Sequence, residues 1–245
     1  SENILAAKPM NAGVGGLVAP ALYQVGDSDK AFKYWTQCLA QDSDATIRLR
    51  NANNYLTAFL AKGSAKKTEN AFNFELPAWP KGRIPDSAES GMVLSLARGL
   101  NQIGRKQQVF ALLQDFMPAI SAELDVLGKA LRVLWEAGYV QWVDQYMSLN
   151  FPSDRGLDGQ LLVLRAAAAE AANRMAESAS YVSRAINAMP VYLTAYARSQ
   201  TFLIGVLNRA QMRVKEPLTH LEFHFTENTP ASLASRFADQ YRFLS

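Results

Sequence analysis

The feature that most limits the fold of this chain is a set of helix-breaking residues that recurs about every 34 positions. The breaks between paired helical segments fall at Gly26, Gly63, Gly104, Gly138, Asn173 and Asn208. Their last three intervals are 34, 35 and 35 residues, and the first two are 37 and 41. Glycine and asparagine both tolerate the left-handed backbone that ends many helices. We therefore interpret each break as the turn of a helical hairpin.

The segments that flank the breaks have the periodicity of amphipathic helices. In the segment Asp29–Ala40, the apolar positions are Ala31, Tyr34, Trp35, Cys38 and Leu39, which share one helical face. One hairpin cannot bury its apolar face alone, so several must stack. The sequence predicts an all-α array of about five to six helical hairpins over residues 1–217.

One stretch inside this array is not helical in pattern. Residues 73–89 contain Pro77, Pro80 and Pro85, and proline in a helix interior removes a hydrogen bond and clashes with the preceding turn. We predict an irregular insertion between hairpins. Trp79 is either a plug packed on the array or an exposed anchor, and we favour the plug.

The last part of the chain changes its pattern. Leu218–Phe225 alternates with a period of two, so residues 218–245 are interpreted as a C-terminal cap or the start of a region that the chain does not include. A strand here would place His220, Glu222 and His224 on one face. Two histidines and a carboxylate could hold a metal, but we favour a solvated polar face and predict no metal site.

Several of these positions also match a known repeat. Leu22-Tyr23-Gln24-Val25-Gly26-Asp27 is followed by Ala31, Trp35 and Cys38, which have the small-and-aromatic pattern of that repeat. Asn173, Ala185 and Pro190 match its glycine, alanine and proline positions with one substitution. With these residues the chain resembles the tetratricopeptide-repeat family over residues 13–217. The resemblance implies a right-handed superhelix in which the first helix of each hairpin lines a concave groove.

A series of arginines follows the repeat. Arg98, Arg132, Arg165 and Arg198 are separated by 34, 33 and 33 residues, and each lies in the first helix of its hairpin. In a stacked array we expect them to form a ladder in the groove, where guanidinium groups suit carboxylates or phosphates. Asn101 and Trp135 are further candidates for the same groove. The alternative is chance, since the chain has 15 arginines.

No sequence motif indicates catalysis or a cofactor. There is no Gly-x-Ser-x-Gly elbow around a nucleophilic serine. Gly13-Val14-Gly15-Gly16 lacks the lysine of a phosphate-binding loop, and we interpret it as a linker into the first hairpin. The only cysteine, Cys38, lies in an apolar helical pattern and is expected to be buried and inert. We predict that the chain is not an enzyme and binds no cofactor.

Composition bears on the partner and the compartment. The formal net charge is +3, which does not favour binding to nucleic acid or to a membrane surface. No apolar run approaches the ~20 residues that span a bilayer. A single cysteine forms no intrachain disulfide, so a cytoplasmic location is favoured slightly over a periplasmic one.

The predicted function is that of a non-catalytic scaffold that binds a peptide or protein partner, acidic in character, in its concave groove. The alternative is the helical-repeat portion of a larger enzyme, or of a bacterial polysaccharide-secretion or pilus-biogenesis assembly. The apolar end of the chain, Phe237–Leu244, motivates this alternative. A third option is polyanion binding through the arginines.

Overall fold

The computed structural model describes residues 12–62, 72–152, 157 and 159–188. These residues form nine α-helices, one short 3-10 helix and no strand, so the all-α prediction is confirmed. The chain divides into two compact units, Ser1–Gly138 and Tyr139–Ser245. Arg198 and the predicted C-terminal cap lie outside the described residues. The right-handed superhelix and the single array over residues 1–217 stay predictions.

The helices follow one another with short connections. In chain order they are α1 (Ala12–Gln24), α2 (Ser28–Gln41), α3 (Ala45–Ala61), α4 (Ser87–Gln102), α5 (Lys106–Phe116), α6 (Leu124–Glu136), α7 (Val140–Asn150), α8 (Gly159–Ala171) and α9 (Met175–Ala188). Gly13–Gly16 belongs to α1, so its interpretation as a linker was wrong. Glycine disfavours a helix by only about 1 kcal/mol per residue, and α1 packs on α2 and α3.

The predicted hairpin turns are confirmed at the four breaks that the described residues include. Gly26, Gly104, Gly138 and Asn173 all have positive φ, between 61° and 99°. Each of these four residues donates its backbone N–H to the carbonyl three positions earlier. The N–H groups of Asp27, Arg105 and Arg174, one position later, reach the carbonyl five positions back. This is the Schellman motif, which ends a helix and reverses the chain.

The same two positions are buried in every described hairpin. Seven residues before the break, the fully buried side chains are Ala19, Ala97, Leu131 and Ala166. Five residues after it, they are Ala31, Val109, Val143 and Ser178. The Ser178 hydroxyl donates a 2.9 Å hydrogen bond to the carbonyl of Ala166. The two positions therefore face each other where the first and second helices of that hairpin pack.

In the unit Ser1–Gly138, the first helices of successive hairpins, α1, α3, α4 and α6, contact one another in that order. Helices α3 and α4 run in the same direction. Near their starts, Arg83 donates a hydrogen bond to Thr46 and forms an ion pair with Glu89. Near their ends, a Cβ at Gly99 would lie only 2.7 Å from Leu56 Cδ2, so this close approach needs glycine.

The irregular insertion is described from residue 72 and contains no helix up to residue 86; the predicted range 73–89 was three residues too long, because Ser87–Glu89 belong to α4. The insertion lies against α3, where Arg48 donates to the carbonyl of Glu75 at 3.0 Å. It also lies against α5, where Gln108 donates to the carbonyl of Phe74 at 2.8 Å. These side chains satisfy carbonyls that no helix pairs. Trp79 is only 3% exposed and packs edge-on against Phe116 with ring centroids 5.1 Å apart, which confirms the plug.

The turn geometry predicts the effect of substitutions at two glycines. Gly104→Ala should destabilise the fold by about 1–2 kcal/mol, because alanine resists φ near +77°. Asparagine at this position should cost less than alanine. Neither side chain meets a steric obstacle, since nothing lies within 4 Å of a Cβ built there. Urea unfolding followed by circular dichroism measures the difference.

Gly91→Ala is the matched control, because Gly91 lies inside α4 and a Cβ there also meets nothing within 4 Å. This variant should stabilise the fold by about 0.5–1 kcal/mol. If both alanine variants changed stability in the same direction, the left-handed turn would not be the cause of the Gly104 requirement.

Candidate interaction surface

Each first helix of the unit Ser1–Gly138 exposes the same positions, counted back from the break that ends it. Positions two, six, nine and thirteen before the break are exposed or half-buried wherever side-chain burial is described. Such spacing places them on one side of a helix. We call this set the first-helix surface. In α3, α4 and α6 it consists of Arg50, Asn54, Thr57, Ala61, Gly91, Ser95, Arg98, Gln102, Asp125, Lys129, Arg132 and Glu136.

The charges on α6 compensate one another. Lys129 forms an ion pair with Asp125, one turn earlier. Arg132 Nε donates to Glu136 Oε1 at 2.8 Å, one turn later. The part of the first-helix surface that α6 contributes is therefore close to neutral.

The charges on α3 and α4 are not compensated. Arg50 and Arg98 are exposed, and neither forms a hydrogen bond or ion pair with any part of the chain that the structure describes. The only carboxylate within these two helices is Glu89. It is buried, caps the start of α4 together with Asp86 and is paired with Arg83. The surface is thus cationic where α3 and α4 contribute to it.

The structure keeps only part of the predicted arginine ladder. Arg98 and Arg132 each lie six residues before a break, on the first-helix surface. Arg165 lies eight residues before Asn173, and two residues turn a helix by about 200°. It is only 5% exposed, so its assignment to a solvent-facing groove was wrong. The nearly constant separation between the arginines conceals this shift of two residues. Counting each arginine back from its own break reveals it.

Arg165 has a structural role inside the second unit. Its guanidinium donates to Ser148 Oγ and to the carbonyl of Phe151, both at 2.9 Å. Phe151 is the residue at the end of α7, where helical carbonyls lack partners. The guanidinium also lies over the Tyr181 ring, 5.6 Å from its centroid. Arg165 therefore ties the end of α7 to α8 and α9.

Asn101 and Trp135 occupy equivalent places three residues before their breaks. Both are half-buried. Their carbonyls accept the hydrogen bonds of the hairpin turns, from Gly104 at 3.1 Å and Gly138 at 3.0 Å. Their side chains thus border the first-helix surface, while their backbones belong to the turns.

The described residues contain neither a cluster of metal ligands nor a membrane-spanning helix. They contain no group of three or more histidine, cysteine, aspartate or glutamate residues that could hold a metal ion. None of their helices is long and apolar enough to cross a membrane. His220, Glu222 and His224 lie outside this part of the chain. Cys38 is buried as expected, and burial, with a further contribution from Asp42, raises the pKa of its thiol.

Comparison with known proteins adds no relative. No protein-family model matches the sequence, and no curated protein or solved structure is significantly similar to it. Membership of the tetratricopeptide-repeat family stays a prediction, and only the residues of the first-helix surface bear on function.

Replacing Arg165 tests its structural role. Arg165→Met should destabilise the protein by about 2–3 kcal/mol, because the two hydrogen bonds that the charged guanidinium donates to Ser148 and Phe151 are lost. Arg165→Lys should lower the free energy of unfolding somewhat less, since the ammonium group restores the charge but not the planar geometry that lets a guanidinium bind two acceptors. Arg98→Met is the control and should change the free energy of unfolding by no more than about 0.5 kcal/mol. Equal effects at the two positions would contradict the assigned role.

The raised pKa of Cys38 predicts slow thiol chemistry. At pH 7.5 the folded protein should react with a disulfide reagent at least about tenfold more slowly than the urea-unfolded chain, because only the exposed thiolate attacks. The rate should continue to rise with pH beyond the range in which a free thiol is already ionised, because the pKa of Cys38 is raised. Absorbance of the released thiolate measures it, and equally fast reaction of folded and unfolded protein would contradict the burial.

Proposed function

We propose that this chain is a non-catalytic interaction scaffold whose first-helix surface binds an acidic segment of a peptide or protein partner. The observation that supports this most directly is the pair of exposed arginines, Arg50 and Arg98, on two packed helices with no exposed carboxylate. The larger assemblies suggested by the end of the chain stay predictions.

The spacing of the helices suits an extended ligand. Packed helices lie about 8–10 Å apart, and an extended chain advances about 3.3–3.6 Å per residue. A peptide that crosses α3, α4 and α6 in turn therefore meets a new helix about every third residue. Arg98 and Arg132 lie at equivalent positions, so acidic residues about three apart can reach both. Arg50 lies nearer the start of its helix, about 10 Å further along the axis, so the acidic residue that binds it lies about four residues from the one that binds Arg98.

The chemistry of the surface sets the expected strength of binding. A guanidinium can form two parallel hydrogen bonds to a carboxylate. Exposed ion pairs are nevertheless worth only about 0–1 kcal/mol each and weaken as salt screens them. The scaffold should therefore bind acidic segments through several weak contacts, with an affinity that falls as ionic strength rises.

Binding of a labelled peptide of about eight glutamates to the full chain tests the proposal. Fluorescence anisotropy should show salt-sensitive binding that a glutamine peptide of equal length lacks. Arg98→Glu should weaken it about tenfold, since the change removes one attraction and adds one repulsion.

Lys33→Glu provides the matched control, because Lys33 is exposed on α2, a second helix, and the substitution changes net charge equally. It should weaken binding less than twofold. Equal losses in the two variants, or no binding of the glutamate peptide, would overturn the proposal. Equally tight binding of a single-stranded oligonucleotide of similar charge would replace it with a general polyanion site.

A further inference from the structure

Two arginines of the first-helix surface occupy equivalent positions but have different neighbours. Arg98 and Arg132 both lie six residues before a break, and Gln102 and Glu136 both lie two residues before it. The neutral Gln102 forms no ion pair with Arg98. Glu136 binds Arg132 at 2.8 Å, with the two side chains 35% and 21% exposed. The same surface therefore presents one open arginine and one occupied arginine.

The position of Glu136 is not explained by the stability of its helix. It is the last residue of α6, where the helix dipole disfavours a negative charge. The order of the pair, with the basic residue first, is also the weaker one at this spacing. Asp125 and Lys129 of the same helix have the opposite arrangement, with the acid in the first turn and the base one turn later.

We propose that Glu136 is an internal competitor for the acidic partner: it occupies Arg132, so that a ligand carboxylate binds Arg98 first and Arg132 only after displacing Glu136. This inference depends on the proposed function, because it assigns a regulation to the same surface. The exchange is possible because an exposed ion pair is weak. Competition by Glu136 also favours binding of the ligand to α3 and α4 over binding to α6.

Exchanging the two neighbours tests the inference with the same glutamate peptide. Glu136→Gln should tighten binding about three- to tenfold, because it removes the carboxylate that competes for Arg132 and that repels the ligand. Gln102→Glu should weaken binding by a similar factor, because it closes Arg98. Helicity and the unfolding midpoint should change little in either variant, since both residues are exposed at helix ends.

The double variant Gln102→Glu/Glu136→Gln has the same net charge as the natural chain and gives the sharpest test. In the natural chain, Arg98→Gln should weaken binding several-fold more than Arg132→Gln. In the double variant this order should reverse, an outcome that a general loss of structure cannot produce.

The two proposals fail in different ways. If the natural chain does not bind the glutamate peptide, the proposed function is wrong, and with it this inference. If the natural chain binds but Glu136→Gln leaves the affinity unchanged, or the order of the arginines does not reverse, only the competition by Glu136 is overturned.

Discussion

The left-handed backbone at the four hairpin breaks that the structure describes is the constraint on which the rest of the fold depends. It ends one helix and starts the next with a fixed hydrogen-bonding pattern, seen at Gly26, Gly104 and Asn173. Once the turn is fixed, the rotation of both helices about their axes follows from the count of residues. In the hairpin of α8 and α9, the position seven before the break faces the position five after it, where Ser178 binds the carbonyl of Ala166. In the unit Ser1–Gly138, positions two and six before the break are exposed or half-buried.

This constraint explains which predictions the sequence could support. The breaks were predictable because few residue types tolerate positive φ, and even Asn173 in place of glycine has the expected conformation, with φ of 61°. Arg165 was misplaced because recurrence of a residue type is not the same as recurrence of helical register. The proline-rich insertion was predictable from its composition, but its path was not. That path depends on hydrogen bonds from Arg48 and Gln108, which are distant in sequence from each other.

The net charge of the whole chain does not show how acids and bases are distributed over the first-helix surface. Counted over the chain, acids and bases nearly cancel. Locally they separate, because the acid of α4 is buried as a cap whereas those of α6 remain beside bases. Because Glu89 is buried against Arg83 at the start of α4, that helix has no exposed carboxylate.

The unit Tyr139–Ser245 shows that polar, exposed residues at these positions are not a general property of the repeat. In α8 the positions nine and six before the break are Leu164 and Ala167, and both are buried. The equivalent positions of α4 are Ser95 and Arg98, and both are exposed. The hairpin turn is the same in both helices, so the turn alone does not create a binding surface. Polar residues at the outward positions are also needed, and within the described residues they occur in the unit that ends at Gly138. An acidic partner is therefore expected to bind that unit, with α8 serving as core.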